Sequence, residues 1–242
     1  MVDVSGAFRV DTAVPLVAPG VNDALLQRPF QGRVVSVAHP VTQALLLTLA
    51  PLRAKFGLAF ADVTLLLGAA SQGNAGVEQL SRQTAALMNG KEPELELFPH
   101  RLGFNVIPAA GAFEGPLSAV ERHLLVEAAR IWSGDELPAL TATALTVPTY
   151  HGATLVISAH LGRPVDAEGV RATLKEAGGL KLLDDPSQNI YPMPMLSTDD
   201  AAPHVGRVRA GGPRVQLVAA IDSAWRLAES AVDIALKLGG RS

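Results

Sequence analysis

The chain contains no cysteine. That excludes disulfides, thiolate metal sites and a thiol nucleophile. Aromatic residues are scarce at 5%, so Leu, Val and Ala must supply the apolar mass, which suits layered α/β packing. Neither sign of charge dominates: the net charge is −3 over 242 residues, which gives no electrostatic footprint for nucleic acid or an anionic membrane. The longest uncharged runs, 34–52 and 137–162, are broken by proline, histidine and hydroxyl residues, so no spanning helix is expected. The start, Met1-Val2-Asp3-Val4-Ser5, lacks the basic-then-apolar pattern of a signal peptide. The expectation is a cytoplasmic protein. The six histidines (His39, His100, His123, His151, His160 and His204) lack the close spacing of metal ligands, so no metal is assigned. What remains is ordinary globular material, 48% apolar and 18% charged, long enough for one large or two small domains.

The most informative stretch is Val34-Val35-Ser36-Val37-Ala38-His39-Pro40-Val41-Thr42, followed by an apolar run to Leu52. β-branched residues over 33–37 favour a strand. Pro40 ends it and suits the first helical position. Leu45, Leu46, Leu49 and Leu52 then recur at helical spacing. Thr42 lies in the helix's first turn, among free N–H groups at the positive end of the dipole. A cysteine there would be a low-pKa nucleophile.

The rest of the chain alternates in the same way. Residues 1–22 read as an irregular connection, given Pro15, Pro19 and Gly20. A buried strand is expected over 61–70. Gly73 and Gly76 open a helix to about Met88, with Val77, Leu80, Thr84 and Leu87 on its apolar face. Residues 117–132 form an amphipathic helix with Ser118 as N-cap and Glu121 completing a capping box. Two strands flank Val147-Pro148 within 141–161. A helix follows to about Ala177, then a short strand over 180–185. The chain closes with a strand over 215–221 and a helix over 223–238.

In that order, the motifs resemble the aspartate-semialdehyde dehydrogenase family. They are Asp3-x-Ser5…Arg9, the turn His39-Pro40-Val41-Thr42, Phe104-Asn105-Val106-Ile107-Pro108, Pro186…Asn189-Ile190-Tyr191-Pro192-Met193-Pro194 and Val205-Gly206-Arg207-Val208-Arg209. The resemblance runs from Asp3 to about Lys237. It implies an α/β fold: a remnant of a Rossmann-type nucleotide-binding domain (1–44 and 222–242) and a glyceraldehyde-phosphate-dehydrogenase-like domain (45–221) with a mixed sheet covered by helices. It also implies a dimer built on that sheet, and NADP as the family's cofactor. The family's first nucleotide-binding unit, with its glycine-rich phosphate loop, has no counterpart here. The expectation is a late reading frame or reliance on a partner, because the strand over 33–37 would otherwise present an unpaired edge.

The resemblance implies four functional positions. The family's cysteine nucleophile falls at Thr42, its substrate-orienting glutamine at Leu67, its carboxylate-gripping arginine at Thr146 and its general-base histidine at Ala153. A hydroxyl is a poor substitute for the thiol, and leucine, threonine and alanine cannot replace the other three groups. His151 shares a strand face with Ala153 if the strand is regular, but it lies about 7 Å away along it. Arg9, Glu121 and His123 match or stand in for the family's phosphate- and substrate-binding residues, which leaves room for a small anionic ligand. Asp222-Ser223, Leu227 and Ser230 or Ala231 stand where the nicotinamide-facing motif is expected, so no cofactor is expected to bind. The chain looks most like the family's non-catalytic Usg-type branch, a dimerising paralogue. The alternatives are an oxidoreductase with altered chemistry using Thr42 or His151, or a fragment of one.

Overall fold

The computed structural model describes residues 1–27, 32–133 and 137–240. Its frame is a six-stranded mixed sheet with a much smaller parallel sheet beside it. The chain begins with the small one. Strands β1 (Val2–Asp3) and β2 (Leu16–Val17) flank β3 (Val35–Val37), both parallel to it. The chain then crosses into helix α1 (Pro40–Phe56) and runs along β4 (Leu58–Leu67) and helix α2 (Gly73–Met88). A two-stranded ribbon, β5 (Phe113–Glu114) with β6 (Leu117–Ser118), leads into α3 (Ala119–Trp132). The large sheet is completed by β7 (Ala139–Thr146), β8 (Ala153–Leu161), β9 (Lys181–Leu182), β10 (His204–Gly211) and β11 (Arg214–Ile221). Its order is β7-β4-β8-β11-β10-β9. Helix α4 (Ala167–Ala177) precedes β9, and α5 (Ser223–Gly239) ends the chain.

Alternation builds the large sheet. Ala61, Val63, Leu65 and Leu67 of β4 are buried, as are Leu155 and Ile157 of β8 and Val215, Leu217 and Ala219 of β11. They face Leu45, Leu46, Leu49 and Leu52 of α1, Leu124 and Ala128 of α3, and Val170 and Leu174 of α4 in one core. The opposite face carries Thr64, Leu66, Val156 and Val218, half-buried or exposed. A second, smaller core holds Val17, Leu26, Val35, Val37 and Ile234.

Three expectations need correction. The segment before Asn22 is not wholly irregular, because it supplies β1 and β2. Strand β3 is therefore paired on both sides and buried at every residue; the open edges fall on two-residue strands, the short edges that blunt edge-to-edge pairing. Second, α2 buries Gln79 and Gln83 beside Gly76 and Leu80, while Val77, Thr84 and Leu87 stay half-buried. Gln79 Oε1 accepts the N–H groups of Leu97 and Phe98, and Gln83 Oε1 those of Leu102 and Gly103. The glutamines satisfy a loop that has no ladder of its own. Third, His151 lies not on a regular strand but in the loop 147–152 between the two expected strands, which turns at Gly152, φ +77°. The capping box is present: Ser118 N donates to Glu121 Oε2 at 2.7 Å.

Candidate functional site

The start of α1 is set by Pro40 at its first turn, with the His39 Nδ1 accepting from Val41 N at 3.3 Å. It points at the end of the large sheet where β4 and β8 meet. There the register places Leu67 opposite both Thr146 and Ala153, so the three lie in one row across β7, β4 and β8. Directly opposed side chains on one face are about 4.5–5.5 Å apart. Three positions scattered over 80 residues of sequence are thus neighbours in space.

A cavity of about 340 Å³ opens above this row. Leu67 and Ala153 form part of its wall, with Arg9, His39, His151 and Asp222 around them. Thr42 does not line it: the residue is fully buried beneath. Its hydroxyl has no hydrogen-bond partner of ordinary geometry, and therefore none with His151. Thr146 turns to a neighbouring cavity of about 340 Å³ under Phe98 and Ile107. Its hydroxyl donates to the Ala109 carbonyl at 2.8 Å. His151 enters the cleft from the 147–152 loop, so a position reckoned along a regular strand does not describe it.

Glu127 on α3 is the buried centre of the floor. It is 0% exposed. Its Oε2 accepts from His39 N at 2.7 Å. Its Oε1 lies 4.0 Å from Arg9 Nε and has no hydrogen bond. Burial pushes its pKa up, while the His39 N–H, Arg9 and then the Thr42 hydroxyl resist that. Thr42 Oγ1 and Glu127 Oε1 are both buried without a hydrogen bond. Arg9 is itself largely buried: Nε donates to the Val37 carbonyl at 2.9 Å and Nη2 to Val4 O at 3.3 Å. Burial lowers its pKa, against the pull of Glu127 and Asp3. His39 is held down to about 3 by desolvation and then by Arg9 and His123, so it is neutral across the ordinary pH range.

The remaining sequence candidates are placed differently. Glu121 is buried with both oxygens engaged, Oε2 by Ser118 N and Oε1 by Ala144 N at 2.7 Å. It ties α3 to β7 and is absent from the cleft wall. His123 sits 3.3 Å from Arg122 Nη2 outside the lining, its pKa lowered by burial and then by Arg122. Among the described residues no cluster of His, Asp or Glu could hold a metal ion. No helix there is long and apolar enough to cross a membrane.

Residues 49–224 match the model of the semialdehyde dehydrogenase dimerisation domain. The chain belongs to the semialdehyde dehydrogenase family. An aspartate-semialdehyde dehydrogenase of Aquifex aeolicus is 31% identical over 211 residues, covering 86% of this chain and 62% of that protein. A USG-1 protein homolog of Azotobacter vinelandii is 34% identical over 215 residues, covering 87% and 62%. In structure, a probable aspartate-semialdehyde dehydrogenase of Pseudomonas aeruginosa superposes with TM-score 0.91 at 28% identity, covering 99% of this chain and 72% of that one. The chain thus spans about 62% of the length of these curated relatives.

Proposed function

We propose that this protein is a non-catalytic, dimer-forming member of the family. The observation that carries the reading is the row of Leu67, Thr146 and Ala153 above a buried Thr42. Oxidation of an aldehyde through a covalent thio-adduct needs a nucleophile open to substrate and a base beside it. The Thr42 hydroxyl is closed off from the cleft, and its carboxylate neighbour, Glu127, is itself sealed in. Leu67 and Ala153 offer the cleft wall no proton acceptor. Loss of nucleophile or base alone costs about 10⁴–10⁶-fold in comparable covalent mechanisms.

NADP does not fit what lies beside the cleft. Leu227 gives it an apolar wall. Ser230 Oγ is spent on Gln43 Oε1 at 2.8 Å and on the Arg226 carbonyl at 2.7 Å. No side chain is left at those positions to address a carboxamide. Arg9 remains the group suited to a small anion, since Nη1 makes none of its hydrogen bonds among the described residues.

The partner in this reading is a second copy, joined through the outer face of the large sheet. Leu66, Val156 and Val218 interleave there with Thr64 and Thr154, a mixed surface suited to self-association.

The test is phosphate-dependent NADPH formation from aspartate semialdehyde. Turnover at least about 10⁴-fold below an intact dehydrogenase is expected; turnover within about 100-fold of one sinks the proposal. Thr42→Cys alone restores nothing, because Ala153 supplies no base. Sedimentation should give a dimer that Val156→Arg converts to monomer.

A further inference from the structure

The two cavities at the end of the large sheet abut. Leu67 lines one and Thr146 the other, and these two are register partners on β4 and β7. Ala109 faces one cavity and its neighbour Ala110 the other. Gln72 lines both. Its side chain is exposed and forms no hydrogen bond among the described residues, so it is free to swing aside. Both cavities open on the face of the sheet that α1 and α3 cover, where Leu67 and Ala153 belong to the main core. They are clear of the outer face, through which the dimer is proposed to form.

The two chambers differ in chemistry. The cleft holds the Arg9 guanidinium with the imidazoles of His39 and His151. The carboxylate in its wall, Asp222, is spent on backbone groups. Its Oδ1 accepts from Ala224 N and Trp225 N, both at 3.0 Å, and its Oδ2 from Asp199 N at 3.3 Å. The second chamber has no charged side chain in its lining; Leu97, Phe98, Pro99, Ile107 and Ala112 make most of the wall. Thr146 there is buried, and its hydroxyl proton is already given to the Ala109 carbonyl. The oxygen keeps room to accept one hydrogen bond from a ligand. A second carboxylate or an ammonium entering this chamber would lose its hydration and meet no countercharge. An apolar group would gain from the same burial.

We propose that the two chambers form one site for an amphipathic monocarboxylate. Its carboxylate lies by Arg9, where a guanidinium N–H remains unspent. Its uncharged arm, a ring or a branched chain, passes Gln72 into the chamber under Phe98 and Ile107. Each cavity alone, at about 340 Å³, is at the low end for a small-molecule site; together they suit a ligand of two unlike parts. The inference rests on the reading of Arg9 as an anion site and names the class of anion that site takes. Ligands charged at both ends are rejected by the second chamber.

Calorimetric titration of the full chain with propionate, 3-phenylpropionate and succinate tests it. The three share one carboxylate arm and differ in carrying nothing, a ring or a second charge at its far end. Phenylpropionate should bind saturably and about tenfold or more tighter than propionate, from burial of its ring. Succinate should gain nothing over propionate. Ala112→Trp fills the second chamber from its exposed rim. The Ala112 carbonyl, which accepts from Ala119 N at 2.8 Å, is untouched by the change. The variant should therefore melt at the wild-type temperature, keep propionate binding and lose the advantage of phenylpropionate. An advantage that survives Ala112→Trp places the ring elsewhere and overturns the proposal. So does equal binding of propionate and phenylpropionate to the wild-type chain, which would leave Arg9 as a plain anion site. Binding of neither probe overturns this inference and the anion site together, while the non-catalytic reading, which is tested by turnover, would stand.

Discussion

The two sheets are held together by different physics. The six-stranded sheet is an apolar construction: long strands, alternation and one large core in which Leu155, Ile157 and Leu217 are fully buried. The three-stranded sheet has two strands of two residues each, too little ladder to stand on its own. Buried polar ties compensate. Asp3 accepts from the Ser5 and Ser36 hydroxyls at 2.6 and 3.0 Å; burial pushes its pKa up, but these bonds and Arg9 outweigh that and leave it lowered. Arg9 sits by Glu127. Arg226 donates to Gln43 Oε1 at 2.7 Å and to the Pro19 carbonyl at 3.0 Å, and Gln43 Nε2 donates to the Ala38 carbonyl at 2.7 Å. The last set joins α5, the start of α1 and the loop after β2 through one buried side chain. Apolar packing tolerates imperfect geometry; a buried polar tie fails when one partner goes. The small sheet should therefore be the part that opens on its own.

Substitutions can break that contrast. The largest effect is expected from Leu155→Ala, in the middle of the large sheet. It should cost about 2–5 kcal/mol and lower hydrogen-exchange protection everywhere, because both regions depend on that core. Arg226→Met should cost somewhat less, about 3 kcal/mol, by leaving Gln43 and the Pro19 carbonyl short of a buried donor. Its signature is spatial: amides of α5 and β1–β3 exchange faster while β4, β8 and β11 keep wild-type protection. Equal loss in both regions would show that the two sheets unfold as one unit.

Much of this arrangement is legible in the chain, and the unreadable parts share a cause. The strand-turn-helix around Pro40, the capping box at Ser118 and the helices are fixed by local signals. Two glycines are required by close backbone approach instead: a Cβ on Gly206 would stand 1.9 Å from the Leu183 carbonyl oxygen, and one on Gly76 2.1 Å from that of Ala69. The cleft row was readable through the family resemblance, and strand register brings its members together. Strands β1 and β2 carry no periodicity because two residues cannot. Glu127 looks like a solvated charge because what buries it, Arg9 and the His39 N–H, lies about a hundred residues upstream. The buried glutamines of α2 escape for the same reason: their partners are backbone groups of a later loop.

Glu127 permits a smaller test. Its raised pKa means the folded state holds the proton more tightly than the unfolded chain. Its ionisation therefore subtracts stability as pH rises through the unfolded value and on through the folded one. Glu127→Gln keeps the shape and the acceptor for His39 N but cannot ionise. The variant should be less pH-dependent than wild type as pH rises above the ordinary glutamate value, with a net change at neutral pH of about 1 kcal/mol or less. Chemical denaturation at several pH values measures it. A variant that loses stability equally at every pH would assign Glu127 a hydrogen-bonding role alone.

The smallest expected effect lies at the far edge of the large sheet, where an ion pair does what apolar packing does elsewhere. His204 of β10 and Lys181 of β9 are register partners, and both reach Asp200 Oδ2, His204 Nε2 at 2.7 Å. Burial raises the Asp200 pKa, but hydrogen bonds from Lys181, His204 and the Ala202 N–H override it and bring the carboxyl to about 2. A carboxylate held below its unfolded value of about 3.9 stabilises the fold above that pH, and the benefit disappears as pH falls through the folded value. The full displacement corresponds to about 2.5 kcal/mol, and solvent screening at this rim reduces it to about 1 kcal/mol. Asp200→Asn should therefore be less stable than wild type by about that amount at pH 7. The difference should shrink below about pH 5, be small by pH 2 and vanish below it, as the folded-state carboxyl also becomes neutral. A deficit that persists undiminished at pH 2 would mean that edge strand β9 is held by geometry rather than by charge, and the contrast between apolar and polar regions would then apply only to the small sheet.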